Sequence, residues 1–339
     1  MKIHNRTPDI ENLYAVLRGG VPARPTLFEL FLNQPLYERL AGYKSPGDDN
    51  ESEYLKFLID AFTAAGYDYT TVYASSMTFP AAIQEQKKTI SLNEGFVITD
   101  EASFSAYKWP EPENFDYSRL KAAKDYLPDG MKLMVMGPGG VLENTIKLVG
   151  YENLCYMLYD EPQLLGEIFD NVGERLLKYY TIAAEYDSVG IIASNDDWGF
   201  KTQTFLSIRD MEKYVFPWHK KIVDAAHAQG KLTIIHTCGY MNDTMDHIIE
   251  IGFDGKHSFE DNILPVEAAY DKWGGRIAIL GGIDVDFIIR CPIESIISRC
   301  RLMLEKSSKT GGYALGTGNS VPEYIPQENY FAMIKTALD

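Results

Sequence analysis

The chain has 339 residues, of which 32 are basic and 48 acidic, so its formal net charge is −16. This excess of negative charge disfavours nucleic acids and anionic membranes as partners and leaves small molecules and neutral or basic proteins. There is no uninterrupted apolar run of about 18 residues, the length a membrane-spanning helix needs. The first residues lack the apolar stretch of a signal peptide, and the four cysteines show no disulfide-framework spacing. We therefore expect a soluble, cytoplasmic protein.

Short apolar or β-branched runs alternate with longer segments of helical periodicity, which is typical of parallel strands joined by helices. In chain order, the predicted strands are residues 26–31, 69–74, 132–136, 190–194, 232–237, 255–258, 276–280 and 312–315. Eight such strands predict a (β/α)8 TIM barrel. No repeat, low-complexity block or Gly/Ser-rich linker divides the chain. We therefore expect one domain over residues 1–339, with an irregular excursion at about residues 75–116.

The predicted helices have recognisable ends, which supports the alternation. Ser207 with Asp210 three residues later predicts a capping box. Pro265 stands where a helix begins and Gly274 where it ends, and residues 161–186 read as one long helix.

Polar residues are frequent just after the predicted strands, and in TIM barrels the active site lies at these carboxyl ends. They are Glu29, Tyr73, Asn195, Asp196, Asp197, Trp198, His236, Cys238, His257, Asp284, Thr317 and Asn319, together with the glycine-rich residues 137–140. If the barrel forms, these side chains surround one cavity.

His236 and Cys238 are two residues apart at the end of an apolar strand, so both side chains face the same side. Imidazole nitrogen and thiolate sulfur are both good zinc ligands. The alternative is inert packing, because a buried cysteine is often a small hydrophobe and a histidine often a hydrogen-bonded structural residue. A catalytic zinc also needs a third protein ligand. By position, the candidates are Glu29, Glu143, Glu260 and Asp284.

Two adjacent carboxylates, Asp196 and Asp197, follow the fourth predicted strand, and we expect at least one of them to enter the cavity. The alternative is a turn or helix-capping cluster, in which Asp and Asn are the usual residues. If Asp197 points inward beside another carboxylate, one of the two should have a raised pKa and could serve as acid or base.

Glycine-rich segments 137–140 and 281–284 lack the lysine and hydroxyl residue of a phosphate-binding loop and the spacing of a dinucleotide fingerprint. They are more typical of tight turns or of close backbone approach. Asp284 is then either a helix cap or an acid that faces the ligand.

Across nearly the whole chain, these motifs resemble the uroporphyrinogen decarboxylase superfamily, in particular its branch of cobalamin-dependent, or corrinoid-dependent, methyltransferases. The motifs are Asn-Asp-Asp-Trp-Gly at 195–199, His-Thr-Cys-Gly at 236–239, Gly-Gly-Ile-Asp at 281–284, Gly-Gly-Tyr-Ala-Leu-Gly-Thr-Gly at 311–318 and Pro-Gln-Glu-Asn at 326–329. The resemblance implies a (β/α)8 barrel that acts on one ligand in its mouth.

Departures from the decarboxylase pattern favour the methyltransferase branch. The decarboxylases carry an arginine-rich stretch after the first strand, where residues 28–33 here read Phe-Glu-Leu-Phe-Leu-Asn, and an aspartate after the second, where Tyr73 stands. An acidic entrance would repel a polycarboxylate porphyrinogen. The methyltransferases use His-x-Cys and a later cysteine as zinc ligands, and the place of that cysteine is taken by Thr317. If a metal binds, a carboxylate should therefore complete its shell.

The resemblance implies methyl transfer between a small methylated substrate and the cobalt of a corrinoid carried by a partner protein. O-demethylation of an aryl methyl ether suits a carboxylate-rich, aromatic pocket best. In this hypothesis His236 and Cys238 bind zinc, and Glu29, Asp197 or Asp284 completes the ligand set or moves a proton. The predicted substrate contacts are Tyr73, Asp196, Trp198 and Asn319. Two alternatives stay open: a decarboxylase-like lyase acting on another substrate without metal or corrinoid, and a non-catalytic ligand-binding barrel.

Overall fold

Strands and helices alternate along the chain, and the strands form one parallel sheet. The computed structural model describes residues 3–47, 50–81 and 92–338. Within these ranges, seven strands neighbour one another in sequence order. They are Tyr69–Tyr73 (β1), Lys132–Met136 (β2), Val189–Asn195 (β3), Leu232–His236 (β4), Gly255–His257 (β5), Ala278–Leu280 (β6) and Tyr313–Ala314 (β7). This order, with helical connections between parallel neighbours, is that of a (β/α) barrel.

The central strands are buried almost throughout, which is why they read as continuous apolar runs rather than as alternating patterns. Their register decides which residues meet at the carboxyl ends. Asn195 pairs with His236, and His236 in turn pairs with His257. The register therefore brings the ends of β3, β4 and β5 side by side.

The predicted first strand, residues 26–31, is wrong in extent. Among the described residues of this segment, only Leu27 pairs, through an isolated parallel bridge to Leu315. At Glu29, hydrogen bonds to a side chain replace strand pairing. The Glu29 N–H donates to the Tyr69 hydroxyl at 2.6 Å, and that hydroxyl donates to the Glu29 carbonyl at 2.6 Å. The predicted parallel α/β arrangement is thus confirmed with seven strands and one additional bridge among the described residues. It is consistent with a TIM barrel, and the complete eight-stranded barrel stays a prediction.

The helices lie between the strands and at both ends of the described chain. The α-helices are Glu11–Leu17 (α1), Gln34–Ala41 (α2), Glu51–Ala65 (α3), Glu101–Ala106 (α4), Ser118–Ala122 (α5), Val141–Val149 (α6), Tyr151–Asp160 (α7), Pro162–Ala184 (α8), Ile208–Tyr214 (α9), Phe216–Ala228 (α10), Met245–Ile251 (α11), Val266–Trp273 (α12), Val285–Arg290 (α13), Ile293–Ser307 (α14) and Gln327–Leu338 (α15). Short 3₁₀ turns occur at Pro112–Asn114 and Ala123–Asp125. Within the described ranges, no helix is long and apolar enough to cross a membrane.

The predicted helix ends are confirmed in position, although of the capping box at Ser207 only the serine half is present. The Ser207 side chain accepts a hydrogen bond from the Asp210 N–H, and Pro265 and Gly274 flank α12. The predicted long helix at 161–186 is α8, which is one residue shorter at its amino end and two residues shorter at its carboxyl end. The predicted excursion at 75–116 contains α4 and one 3₁₀ turn, and its residues 82–91 lie outside the described residues.

The loops after β6 and β7 pack backbone against backbone at the mouth of the fold. A Cβ at Gly281, whose φ is +66°, would lie 2.2 Å from the Thr317 carbonyl oxygen. A Cβ at Gly318 would lie 2.1 Å from the Phe259 carbonyl oxygen. Glycine is needed at both positions because the approach leaves no room for a side chain.

Candidate metal centre

Three side chains with metal-binding atoms meet at the carboxyl ends of β3 and β4. One ligand atom from each of Asp197, His236 and Cys238 lies within 4.8 Å of the others. The Cys238 Sγ is 3.6 Å from His236 Nε2, and the Cys238 N–H donates to Asp197 Oδ1 at 2.7 Å. Carboxylate, imidazole and thiolate are all zinc donors, and three protein ligands is the number usual in catalytic zinc sites. The donor set therefore fits zinc.

The Cys238 sulfur receives two further hydrogen bonds. The Ser258 hydroxyl donates to it at 3.5 Å, and the Asn319 amide donates to it at 3.4 Å. Burial, with the negative charge of Asp197 beside it, raises the pKa of Cys238 to about 12. Without a cation the thiol thus keeps its proton, whereas coordination to a metal ion deprotonates a thiol.

His236 continues into a hydrogen-bonded chain on its other side. Its Nδ1 is 2.9 Å from His257 Nδ1, and His257 Nε2 is 3.1 Å from the Thr317 carbonyl oxygen. Burial lowers the pKa of His236 to about 4 and that of His257 well below its usual range. Both rings are therefore neutral near pH 7, which is the form in which histidine binds metal.

Glu29 lies behind Thr317 and is fully buried. The Thr317 hydroxyl is 2.5 Å from Glu29 Oε1 and also contacts the Asn319 carbonyl oxygen. Burial raises the pKa of Glu29 to about 8, so the carboxyl is protonated at neutral pH. It can then donate to the Thr317 hydroxyl, which in turn donates to the Asn319 carbonyl. A catalytic role for Glu29 stays a prediction.

Asp196 points away from the metal-binding atoms. It is fully buried, and its Oδ2 accepts from the Leu142 N–H at 3.1 Å and lies 2.9 Å from His219 Nε2. Its Oδ1 accepts from the Glu143 N–H at 2.9 Å. The carboxylate thus satisfies two unpaired amides at the start of α6, where a negative charge is favourable. Its predicted substrate contact stays a prediction.

The other predicted acid and the predicted tryptophan also have structural contacts. Asp284 caps α13 by accepting from the Phe287 N–H at 2.9 Å, and its second oxygen accepts from the Asp261 N–H. Trp198 is fully buried, with its ring centroid 5.2 Å from that of Phe216. Roles for Asp284 in catalysis and for Trp198 in substrate binding stay predictions.

Tyr73 belongs to an aromatic cavity of about 500 Å³ at the end of β1. Its ring stacks on Phe31 with centroids 5.5 Å apart, and 43% of its surface is exposed. Gln34, Tyr37, Glu51, Tyr54, Leu55, Leu58, Thr71, Ser76 and Arg119 also line this cavity. Burial, with Glu143 nearby, raises the pKa of Tyr73. Burial, with Asp196 and Asp197 nearby, raises the pKa of Glu143 to about 8.

A second cleft, of about 900 Å³, lies along the loops after β5, β6 and β7. Its lining includes Phe259, Glu260, Asp284 and Asn319. Asn319 also contacts the Cys238 sulfur, so this residue lies between the cleft and the candidate metal centre.

Lys256 is a residue that sequence reasoning missed. It is buried in β5, its ammonium group lies 4.1 Å from the Phe259 ring centroid, and it donates to the Ser258 carbonyl. Burial lowers its pKa to about 8, while Cys238 and Asp197 favour its charged form. The available signal was a lysine within a short predicted strand, where charged residues are rare.

A parallel α/β fold with titratable side chains gathered at the strand ends is the architecture of barrel enzymes. The sequence model of the uroporphyrinogen decarboxylase (URO-D) family matches residues 65–339. The chain belongs to this family, which confirms the resemblance.

Its similarity to individual proteins is more distant. It is 23% identical over 249 residues to the uroporphyrinogen decarboxylase of Anaeromyxobacter dehalogenans (strain 2CP-C), covering 71% of this chain and 68% of that protein. Identity to the Geobacter sulfurreducens uroporphyrinogen decarboxylase is 24% over 187 residues, covering 55% and 52%. A solved methyltransferase from Methanosarcina mazei superposes with a TM-score of 0.76 at 17% identity, covering 96% of this chain and 97% of that one. At that identity, the superposition establishes a shared fold.

Proposed function

We propose that this protein is a methyltransferase that moves a methyl group between a small methylated substrate and the cobalt of a corrinoid on a partner protein. The observation that carries the proposal is the trio of Asp197, His236 and Cys238 at the strand ends. The fold shared with a methyltransferase is consistent with it.

In the proposed site, His236 would hold zinc through Nε2, Cys238 through Sγ and Asp197 through a carboxylate oxygen. A bound zinc ion would supply Lewis acidity to the oxygen or sulfur from which the methyl group departs. Asn319 and Ser258 donate hydrogen bonds to the thiolate and hold it in place. The negative charge of the ligands is partly balanced by the buried Lys256 ammonium group.

An aryl methyl ether is the substrate class that the aromatic cavity favours. The stacked rings of Phe31 and Tyr73 offer a face for a flat aromatic ligand, and a volume of about 500 Å³ accommodates a single substituted ring. In O-demethylation, the methyl–oxygen bond of the substrate would break as a reduced corrinoid on the partner protein accepted the methyl group. The leaving oxygen then takes one proton and departs as a phenol, so atoms and charge balance.

The direct test is anaerobic mixing of the zinc-loaded protein with cob(I)alamin and a panel of methoxylated aromatics. We expect the cob(I)alamin absorption to be replaced by that of methylcobalamin, with release of the matching phenol. The Cys238→Ser variant should lose this conversion, whereas Cys155→Ser, a change at a cysteine on α7 outside the trio, should keep it. No conversion with any donor, in protein that retains stoichiometric zinc, would contradict O-demethylation.

A lyase acting on a different substrate is the second candidate, favoured by the decarboxylase relatives. It predicts carbon dioxide release without metal or corrinoid. Metal analysis of the purified protein separates the two candidates. Stoichiometric zinc that is lost in His236→Ala supports methyl transfer, and the absence of bound metal supports the lyase. Ligand binding with neither reaction would indicate a non-catalytic barrel.

A further inference from the structure

The ring of His257 lies between His236 and a backbone carbonyl group. Its Nδ1 is 2.9 Å from His236 Nδ1, and its Nε2 is 3.1 Å from the Thr317 carbonyl oxygen. The ring is fully buried, so water does not compete for either contact. The three groups form one continuous hydrogen-bonded chain from the loop after β7 to the candidate metal centre.

The direction of every hydrogen bond in this series follows from the Thr317 carbonyl group at its end. A carbonyl oxygen only accepts, so His257 Nε2 must carry the proton and donate to Thr317. In a neutral imidazole the other nitrogen is then an acceptor, and His257 Nδ1 can only receive a proton from His236 Nδ1. With its proton on Nδ1, His236 presents the Nε2 lone pair toward Cys238 Sγ, 3.6 Å away. The opposite direction would place two lone pairs against each other at Thr317.

Packing holds the His257 ring in this position. On one side, the Phe28 ring lies with its centroid 5.2 Å from that of His257. On the other, Gly281 leaves the space the ring occupies: a Cβ there would lie 3.0 Å from His257 Cδ2, 3.1 Å from Nε2 and 2.2 Å from the Thr317 oxygen. The glycine thus permits the approach of the carbonyl to the ring.

We propose that His257 is a positioning residue which, through the Thr317 carbonyl, locks His236 in the Nδ1-protonated tautomer and thereby prepares its Nε2 for metal before the metal arrives. This inference rests on the metal site of the proposed function, but not on the methyl-transfer reaction. Partners of this kind orient metal-binding histidines and increase the basicity of the coordinating nitrogen.

The first test reads the tautomer directly in the wild-type, metal-free protein. The chain has six histidines, so ¹⁵N-histidine labelling gives a tractable spectrum in which His236→Gln and His257→Gln assign the two rings. We expect, near pH 7, a proton on Nδ1 of His236 and on Nε2 of His257. A proton on Nε2 of His236 would overturn the proposal. This measurement needs no variant beyond those used for assignment.

The second test measures zinc affinity by chelator competition in the full chain. His257→Phe keeps an aromatic ring and removes both nitrogens, and we expect about a 10- to 100-fold loss of affinity. His257→Gln retains an acceptor and a donor, so its loss should be smaller than that of His257→Phe. The matched control is His227→Phe, since His227 contacts Asp254 at 2.8 Å and lies outside the trio; its affinity should equal that of wild type.

These outcomes separate the inference from the proposed function. Tight zinc binding with the expected tautomer, but without methyl transfer, would contradict the proposed function and leave the inference standing. A folded His257→Phe protein with wild-type zinc affinity would overturn the inference even if methyl transfer occurs. Wild-type protein that binds no zinc would overturn both.

Discussion

Asp196 and Asp197 are adjacent in sequence yet have opposite surroundings. Asp196 is fully buried and faces the start of α6 and the His219 ring. Asp197 is partly exposed and faces the Cys238 backbone and the metal-binding atoms. Successive side chains of an extended backbone point to opposite sides. One carboxylate at the end of β3 therefore stabilises the fold, and its neighbour is free to bind a ligand.

The contacts of Asp196 fix the loop that carries Asp197. The Asp196 N–H donates to the His236 carbonyl at 3.0 Å, which extends the pairing of β3 and β4 up to the candidate site. The carboxylate of Asp196 anchors the same loop to α6 through two amides. Asp197 is then held in place by the contacts of the residue before it.

The largest effect should come from Asp196→Ala. Removal of this carboxylate leaves two amides and the His219 ring without their acceptor in the protein interior. We expect a loss of about 3–5 kcal/mol in the free energy of unfolding, measured with urea. Asp246→Ala, which removes an exposed partner of Arg276, should cost less than about 1 kcal/mol. Equal losses in the two variants would contradict the structural role of Asp196.

Asp197→Asn should weaken zinc binding and leave the stability of the fold nearly unchanged. The amide oxygen can still accept the Cys238 N–H, so the metal-free protein should keep its stability within about 1 kcal/mol. Loss of a charged ligand should weaken zinc binding by at least about 100-fold, or about 2.7 kcal/mol, in chelator competition. Asp246→Asn is the matched control and should bind zinc like wild type. An affinity within about threefold of wild type would remove Asp197 from the ligand set.

Glu29, like Asp196, is a fully buried acid, and it has no cationic partner among its described contacts. Its pKa in the fold is about 8, against an ordinary value of 4.5. As the pH rises between these values, the unfolded chain loses this proton first, so the raised pKa makes the fold less stable. The Glu29→Gln variant has no carboxyl group at this position, so its fold does not lose stability in this way. We expect the variant to gain about 2 kcal/mol relative to wild type between about pH 5.5 and about pH 7.5.

The check is urea unfolding of both proteins across that pH range. The amide side chain of the Glu29→Gln variant can still donate to the Thr317 hydroxyl, so the local contact is conserved. Stability curves of the two proteins that run parallel with pH would contradict a protonated Glu29.

The smallest effect should come from Asn319→Ala. This change removes one neutral hydrogen-bond donor, at 3.4 Å from the Cys238 sulfur. A single bond of this kind contributes about 1 kcal/mol, so zinc affinity should fall about fivefold. Ser258→Ala removes the other donor and should have a similar effect. A loss as large as that of Asp197→Asn would contradict a role limited to one hydrogen bond to the Cys238 sulfur.

The sequence predicts those parts of the fold that depend on local pattern. β2 has the predicted bounds because its run of buried apolar residues is sharply delimited. The segment at 26–31 has a similar apolar character, yet most of it is not a strand. Its pairing is replaced by the Tyr69 hydroxyl, a contact 40 residues away in the chain that no local pattern encodes.

The candidate site likewise combines features that local sequence pattern predicts with features that depend on tertiary contacts. The spacing of His236 and Cys238 predicts that they meet, and they do, although β4 ends at His236 and Cys238 lies in the loop that follows. The choice of Asp197 among the strand-end acids depends on the Cys238 backbone N–H, a tertiary contact. The sequence likewise shows that Thr317 is not a thiol ligand, but only the structure shows that its carbonyl meets His257.

The most direct test of the central claim is zinc K-edge X-ray absorption on the purified wild-type protein. We predict bound zinc with one sulfur at about 2.3 Å and its other ligands nitrogen or oxygen at about 2.0–2.2 Å. In Asp197→Asn, the oxygen contribution should change while the single sulfur remains. Two sulfur ligands, or a protein without bound zinc after zinc loading, would contradict the assignment of Asp197, His236 and Cys238 as a metal centre.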